Sequence, residues 1–476
     1  MATTEQKTYL ELSEEGGGAH KFYEVTVKGS KVTVRYGRIG DEGASQETKC
    51  ASPAEAKAFA DKKVKEKSAK GYAPAVAGGR AKRAVVRRGD YVSKASTVKH
   101  KAPVLWRFKT KGRAYGIFVD EALCWMGNQE GQVYALDRAG AVAAMYKFPQ
   151  GVECIIADGP WRYAGCDDGN VYDLTGAIPR LAYTVSAGTD LLWMDIHGGT
   201  LVVSDNDGYV TALDHEGEAL WRKKSKGDTG WMVRCDDAGV YHGHSEGVTA
   251  YDWKGKARWS KDVGGSVLFG WQDDDRVYAA TSDDTVVELA KKDGKLRMTY
   301  RCDGGVPSCA ASPGGKYVFA EDGAENIYCF DAKGERRWKL ATGCGPALSM
   351  QYLDGRLYVV TGDGSFAEID AGEAAIAAAQ KGALPSARSI AAPAVKESRT
   401  TALETTTDRK GGVVVECFKD GGKLRVRVTS PGYDKKRHCQ FPRDIREEGA
   451  KFVVDEVRES GDGGFYRAFG NIRRLA

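Results

Sequence analysis

The feature that most narrows the fold is a phrase that returns roughly every forty residues between Gly112 and Asp370. It reads Gly131-Gln-Val-Tyr-Ala-Leu-Asp137, then Gly169-Asn-Val-Tyr-Asp-Leu174, Gly208-Tyr-Val-Thr-Ala-Leu-Asp214 and Gly247-Val-Thr-Ala-Tyr-Asp252. Weaker copies lie at Thr285–Leu289, Asn326–Asp331 and Ser365–Asp370. Aligned on Gly131, Gly169, Gly208, Gly247, Asp284, Glu325 and Gly364, the steps are 38, 39, 39, 37, 41 and 39 residues. A period of this length, holding several short strand signals per copy, reads as a β-propeller blade, and seven copies read as seven blades.

A second column supports the stride. Gly112, Gly151, Gly188, Gly227, Gly265, Gly304 and Gly345 each precede an apolar run, where glycine permits a tight turn or a close backbone approach before an inner strand. A glycine followed by a bulky pair, as in Gly217…Leu220-Trp221, Gly255…Arg258-Trp259 and Gly334…Arg337-Trp338, reads as a turn into an outer strand. After Asp370 the seventh copy gives an alanine-rich helix signal, Glu373–Gln380, in place of that outer strand. Val104-Leu-Trp-Arg-Phe-Lys109 carries the missing wording, so residues 104–109 are expected to complete blade seven and remove the open sheet edge. The phrase Asp-Gly-x-Val-Tyr-Ala-Leu-Asp-x-x-Gly-x-x-x-Trp resembles the repeat of quinoprotein-like propellers. Such propellers serve as enzymes, scaffolds and assembly factors alike.

The N-terminal residues 5–72 read differently. Strand signals at Lys7–Leu12, Lys21–Val27 and Val32–Tyr36 are separated by turn signals at Gly16–Gly18 and Lys28–Ser30, and a polar loop follows Gly40. Val25, Val27, Val32 and Val34 alternate as one buried face requires. Ser52 reads as an N-cap with Pro53 at the first helical position, opening a helix to Ser68. Ala56, Phe59, Ala60 and Val64 share its apolar side, and lysines that include Lys63 populate the rest. The run Lys21-Phe-Tyr-Glu-Val…Val34-Arg-Tyr-Gly-Arg-Ile-Gly40…Ala54-Glu-Ala…Gly71-Tyr72 resembles a WGR domain, the module found beside the catalytic domain of DNA-dependent poly(ADP-ribose) polymerases and in many bacterial proteins. The resemblance implies that Tyr36, Gly37 and Arg38 lie against DNA near a strand break. The aromatic ring would pack on a sugar, with basic residues (Lys31, Arg35, Lys49, Lys63) on phosphates. Tyr36 stands where the family has tryptophan and offers less stacking area. No ADP-ribosyltransferase segment follows. Read without the resemblance, Tyr36 is a core aromatic at a strand end, Arg38 braces a turn, and the helix lysines form a solvated face.

Charge is unevenly placed. The net +5 divides as +2 over residues 1–72, +7 over 73–101, −11 over 102–380, +2 over 381–407 and +5 over 408–476. An acidic ring between basic ends points any polyanion to the ends. Residues 73–102, with Arg87 and Arg88 among eight basic side chains, read as a basic linker. It serves either as an extended tether or as an arm for phosphates. Residues 381–407 read as a second linker, and 408–476 as a small basic α+β domain. Strands are expected there at Val413–Phe418, Lys423–Val428 and Phe465–Phe469, with a helix or a strand over Ile445–Arg458. Arg425, Arg427, Lys435, Lys436, Arg437, Arg443, Arg473 and Arg474 offer a phosphate-binding face, or else they pair with Glu447, Glu448, Asp455 and Glu456.

The rest of the chemistry is sparse. Eleven scattered cysteines, with no Cys-x-x-Cys pair, read as reduced thiols of a cytoplasmic protein. No apolar run reaches the roughly 20 residues of a membrane helix, and no signal-peptide core opens the chain. Acidic turns such as Asp167-Asp168-Gly169 and Asp205-Asn-Asp207-Gly208 read as hairpin turns rather than calcium loops. His242 and His244 share a strand face without a third ligand and read as core or rim residues. No catalytic constellation, metal site or cofactor site stands out, and a quinone is not expected. Tyr115, Trp193, Trp231 and Trp271, near the inner-strand starts, are candidates either for the blade core or for a protein-binding rim. The sequence therefore reads as a mainly β, non-enzymatic adaptor. A WGR-like module (residues 5–72) would bind DNA, and a seven-bladed propeller (103–380) would bind proteins. The alternatives are a scaffold that binds proteins alone, or an enzyme with a small-molecule site in the propeller channel.

Overall fold

A computed structural model of the protein describes residues 5–13, 20–38, 42–70, 72–74, 96–186, 189–393, 403–408, 411–461 and 464–475. The chain forms two compact units, residues 1–85 and 86–476. No helix among the described residues is long and apolar enough to cross a membrane.

The first unit is a five-stranded sheet under one helix. Strands Glu5–Ser13, His20–Lys28, Lys31–Arg38 and Ala44–Lys49 run antiparallel in sequence order, and Ala73–Pro74 pairs on the far side of Glu5–Ser13. The helix Pro53–Ser68 starts where Ser52 accepts a hydrogen bond from Glu55 N, with proline at the first position. Its Ala56 and Ala60 pack on Leu10, Tyr23, Val25, Val32 and Val34. The expected polar loop is in part a strand: Ala44–Lys49 is an edge strand with mostly exposed side chains, so it carries no apolar alternation to read.

The second unit contains seven blades. Six are four-stranded antiparallel sheets, from Ala114–Val119 through Lys147 in blade one to Cys309–Ala341 in blade six. Blade seven joins Ala347–Leu353, Arg356–Thr361 and Ser365–Asp370 to Val104–Lys109, which pairs antiparallel with Ser365–Asp370. All seven residues of the first repeat column adopt positive φ, from 57° at Asp284 to 121° at Gly247. Asp284 and Glu325 therefore hold left-handed backbone without being glycine.

The repeated Asp and Trp also have a physical reason. Asp137, Asp214, Asp252 and Asp331 each accept backbone N–H groups two and four residues on, closing the turn that carries the next glycine. The outer-strand tryptophan of the preceding blade lies on that glycine. A Cβ on Gly255 would meet Trp221 at 2.8 Å, and one on Gly140 would meet Trp106 at 3.3 Å. Trp221 Nε1 also donates to Trp253 O at 3.0 Å. Because Trp106 belongs to blade seven and Gly140 to blade one, the same contact closes the ring.

Three further segments depart from the sequence reading. Residues 96–102, at the end of the basic linker, lie on blade six: Ser96 donates to Asn326, and Ala102 N donates to Ala341 O. Arg388–Ala391, within the expected second linker, is a parallel fifth strand on Val104–Lys109. The C-terminal part is a sheet with no helix among its described residues. Gly449, at φ 77°, turns the chain into the strand Lys451–Glu459, whose Phe452, Val454 and Val457 are buried. The final strand runs unbroken from Tyr466 to Leu475.

His242 and His244 are both fully buried core residues of blade four. Burial, and then the neighbouring imidazole, pushes His242 down to about 3; burial, and then Lys226, pushes His244 down to about 4. Below pH 6.5 the unfolded chain therefore takes up protons that the folded chain refuses, so stability falls as the pH drops from about 6.5. Denaturant unfolding at pH 7.5 and pH 5.0 should show that His242→Asn reduces this loss by about 2 kcal/mol. The same assay should show Gly255→Ala destabilising by about 1–3 kcal/mol, through overpacking against Trp221. Asp284→Gly should be neutral or stabilising by up to about 1 kcal/mol, because it relieves a left-handed backbone.

Candidate nucleic-acid interface

The strand Lys31–Arg38 carries most of the candidate residues and divides them between two faces. Register places Lys28 opposite Lys31 and Lys31 opposite Lys49, so three exposed lysines form one row across three strands. Directly opposed like charges repel. Glu47, 2.6 Å from Lys31, is the acid that offsets them. Arg35 lies on the same face. It pairs with Glu24 at 3.3 Å, sits 5.0 Å from the Phe22 ring centre and donates to Glu42 O, and Glu24 also takes Lys7 at 2.8 Å. Arg35 is thus engaged inside the domain. Gly37 is required by packing: a Cβ there would meet Gly43 Cα at 2.8 Å and the Phe22 ring at 3.1 Å. Arg38 ends the strand; its side chain, and all of Arg87 and Arg88, lie outside the described residues.

Tyr36 points to the helix-covered face at the other end of this strand. It is 45% exposed, the most exposed aromatic among the large apolar side chains of the described residues. Its ring stacks on Tyr23, centroids 6.3 Å apart, and Tyr23 meets Tyr72 edge-on at 6.3 Å. Lys67 from the helix lies 4.5 Å over Tyr23 and 5.2 Å from Tyr72. Burial holds the Lys67 ammonium below its usual range, and Lys70, Lys63 and Lys21 push the same way. An ammonium crowded by other lysines gains from an anion brought beside it. Lys63 itself is half-buried, over Phe59 and 3.5 Å from Glu66. The sequence reading did not place Lys28, Lys67, Tyr23 and Tyr72 at the site. Only sheet register and helix packing bring them to Lys31 and Tyr36.

The propeller places two of the candidate rim aromatics, Tyr115 and Trp193, in the blade core. Tyr115 is fully buried, and Trp193 is 2% exposed, edge-on to Phe269 at 4.9 Å with Arg234 over its ring. The inner strands that carry Tyr115 and Trp193 pack on both faces, so these two rings go into the core. Trp231 and Trp271 are half-buried, and Trp271 also lies beneath Arg234. The exposed large apolar side chains of the ring are Met145, Leu220 and Leu296, all on outer strands.

The C-terminal sheet uses most of its arginines in ion pairs, while Lys435 and Lys436 are exposed. Arg425 and Arg446 converge on buried Glu216 of blade three, at 3.3 and 2.6 Å, and Lys423 takes Glu218 at 2.5 Å. Arg443 donates to Glu216 O and Gly217 O. Arg467, 3% exposed, pairs with Asp158 of blade two at 2.5 Å and lies over Trp161, whose Nε1 donates to Ala468 O. Arg427, Arg437, Arg473 and Arg474 pair with Glu416, Glu459, Asp455 and Glu447. Of the two readings the sequence left open, the structure favours pairing, and much of it fastens the sheet to the ring.

Known proteins agree with this division. A model of the WGR domain matches residues 6–79. A second model, described as outer membrane protein assembly factor BamB, matches residues 206–302 and again 297–445. These two matches together cover just over half of the chain, and the chain belongs to this family of repeat propellers. Among solved structures, the WD40 β-propeller domain of Doa1 aligns with a TM-score of 0.51 at 11% identity, covering 58% of this chain and 98% of that one. A computationally designed protein, Ika8, aligns with a TM-score of 0.45 at 11% identity, covering 57% and 100%. At 11% identity the Doa1 match shows the propeller fold and nothing more. No curated protein matches the chain.

Proposed function

We propose that the protein is a non-enzymatic cytoplasmic adaptor that binds DNA, at ends or nicks, through its WGR domain and binds proteins through its propeller. The observation that carries this reading is Tyr36: an exposed ring backed by Tyr23, beside the lysine-rich helix, in a domain matched by the WGR model. A ring held in this way is preorganised to stack on a sugar or base exposed at a break. The lysine row at Lys28, Lys31 and Lys49 supplies phosphate contacts without sequence preference. The propeller contributes an acidic ring with exposed apolar side chains on its outer strands, which suits a protein partner better than a polyanion.

Fluorescence anisotropy of the full chain on nicked, blunt-ended and end-blocked intact duplexes, across a salt series, tests this. Nicked and blunt duplexes should bind more tightly. Tyr36→Ala should remove that preference, weakening binding to breaks about tenfold. Lys31→Ala with Lys49→Ala should weaken all three duplexes alike and flatten the salt dependence by about one to two phosphate contacts. Equal binding to all three duplexes that is unaffected by Tyr36→Ala would remove the break-reading role. No binding at low salt would leave the protein-only scaffold.

A further inference from the structure

Where the C-terminal sheet meets blade three, three side chains converge that neither the WGR domain nor the propeller fold accounts for. His215 and Glu216 sit on the turn between the strands Tyr209–Leu213 and Ala219–Lys224, and His438 comes from the C-terminal sheet. One possible ligand atom from each lies within 4.8 Å of the others. His215 Nε2 and Glu216 Oε1 are both buried, and neither has a hydrogen-bond partner. Glu216 is 3% exposed. Leaving two such lone-pair atoms unpaired is costly, and a cation between them would remove the cost.

Each group is also held in place by its other contacts. Asp214 accepts the N–H groups of Glu216 and Glu218, fixing the turn. Arg446 and Arg425 hold Glu216 Oε2, which fixes the carboxylate and leaves Oε1 available. His215 stacks on Phe465, centroids 3.9 Å apart and planes at 10°. His438 Nε2 donates to Asp420 at 3.2 Å, a carboxylate contact that leaves Nδ1 as the lone-pair nitrogen.

We propose that His215, Glu216 and His438 bind a divalent transition-metal ion of the zinc type, which clamps the C-terminal sheet to blade three. Two imidazoles and one carboxylate are a recognised zinc set, with the fourth position left to water. A tetrahedral ion at about 2.0–2.2 Å holds its ligand atoms about 3.4 Å apart, so small side-chain rotations close the site. The imidazole-rich donor set disfavours magnesium and calcium, which prefer all-oxygen shells.

The test uses chelator-stripped full-length protein titrated with Zn²⁺ by calorimetry, and with Co²⁺ as a visible-absorption probe. The expected result is one equivalent of Zn²⁺ and the ligand-field bands of four- or five-coordinate Co²⁺. His215→Ala and His438→Ala should both lose them, and Asp420→Asn should weaken Zn²⁺ about tenfold or more. If circular dichroism shows an alanine variant unfolded, His438→Gln on the half-exposed ring takes its place. Failure of the wild type to bind Zn²⁺, or Zn²⁺ binding of wild-type strength in folded His215 and His438 variants, would overturn the proposal.

Discussion

The ring depends on a large aromatic of one blade lying on a glycine of the next. Trp221 on Gly255, Trp259 on Gly294 and Trp106 on Gly140 are the same contact in three places. Each joins the burial of an indole to a turn that only a residue without Cβ fits, because these glycines also carry positive φ. Repetition explains why the phrase recurs in the sequence. Closure explains why its last part is found before its first: Trp106 must arrive on Gly140 from blade seven, so the chain begins the ring with the strand that ends it.

Much of this was legible because it is local or periodic. The stride gave seven blades, and the Leu-Trp-Arg wording separated Val104–Lys109 from the linker before it. Ser52-Pro53 marked the helix start through a cap that needs only neighbouring residues. The parts that were not legible depend on tertiary context. Arg388–Ala391 is polar and short, and it is a strand only because Val104–Lys109 offers it an edge. Trp193 gave an aromatic signal that suited rim and core equally, and the strand's burial on both faces decides for core.

The same limit applies to charge. Composition correctly separated an acidic ring from basic ends, but it did not say which basic residues remain available. In the C-terminal sheet, arginines such as Arg425, Arg446 and Arg467 are partnered by Glu216 and Asp158 of the ring, more than two hundred residues away in sequence. In the first unit, register aligns Lys28, Lys31 and Lys49 with one nearby acid. Pairing thus weakens the argument for a polyanion at the C-terminal sheet and leaves it with the N-terminal end, where the WGR domain carries the described basic residues. There, the face with the lysine row and the edge with Tyr36 are ordered by one strand.

The central claim, that DNA meets this chain at Tyr36 and not on the ring, is tested most directly by hydroxyl-radical footprinting of the full protein with and without a nicked duplex. Tyr36 is 45% exposed, while Met145 at 39% and Leu296 at 48% report on the propeller. The account predicts that DNA lowers oxidation of Tyr36 severalfold and leaves Met145 and Leu296 unchanged. Protection of Met145 or Leu296 with Tyr36 still oxidised at its free rate would contradict it.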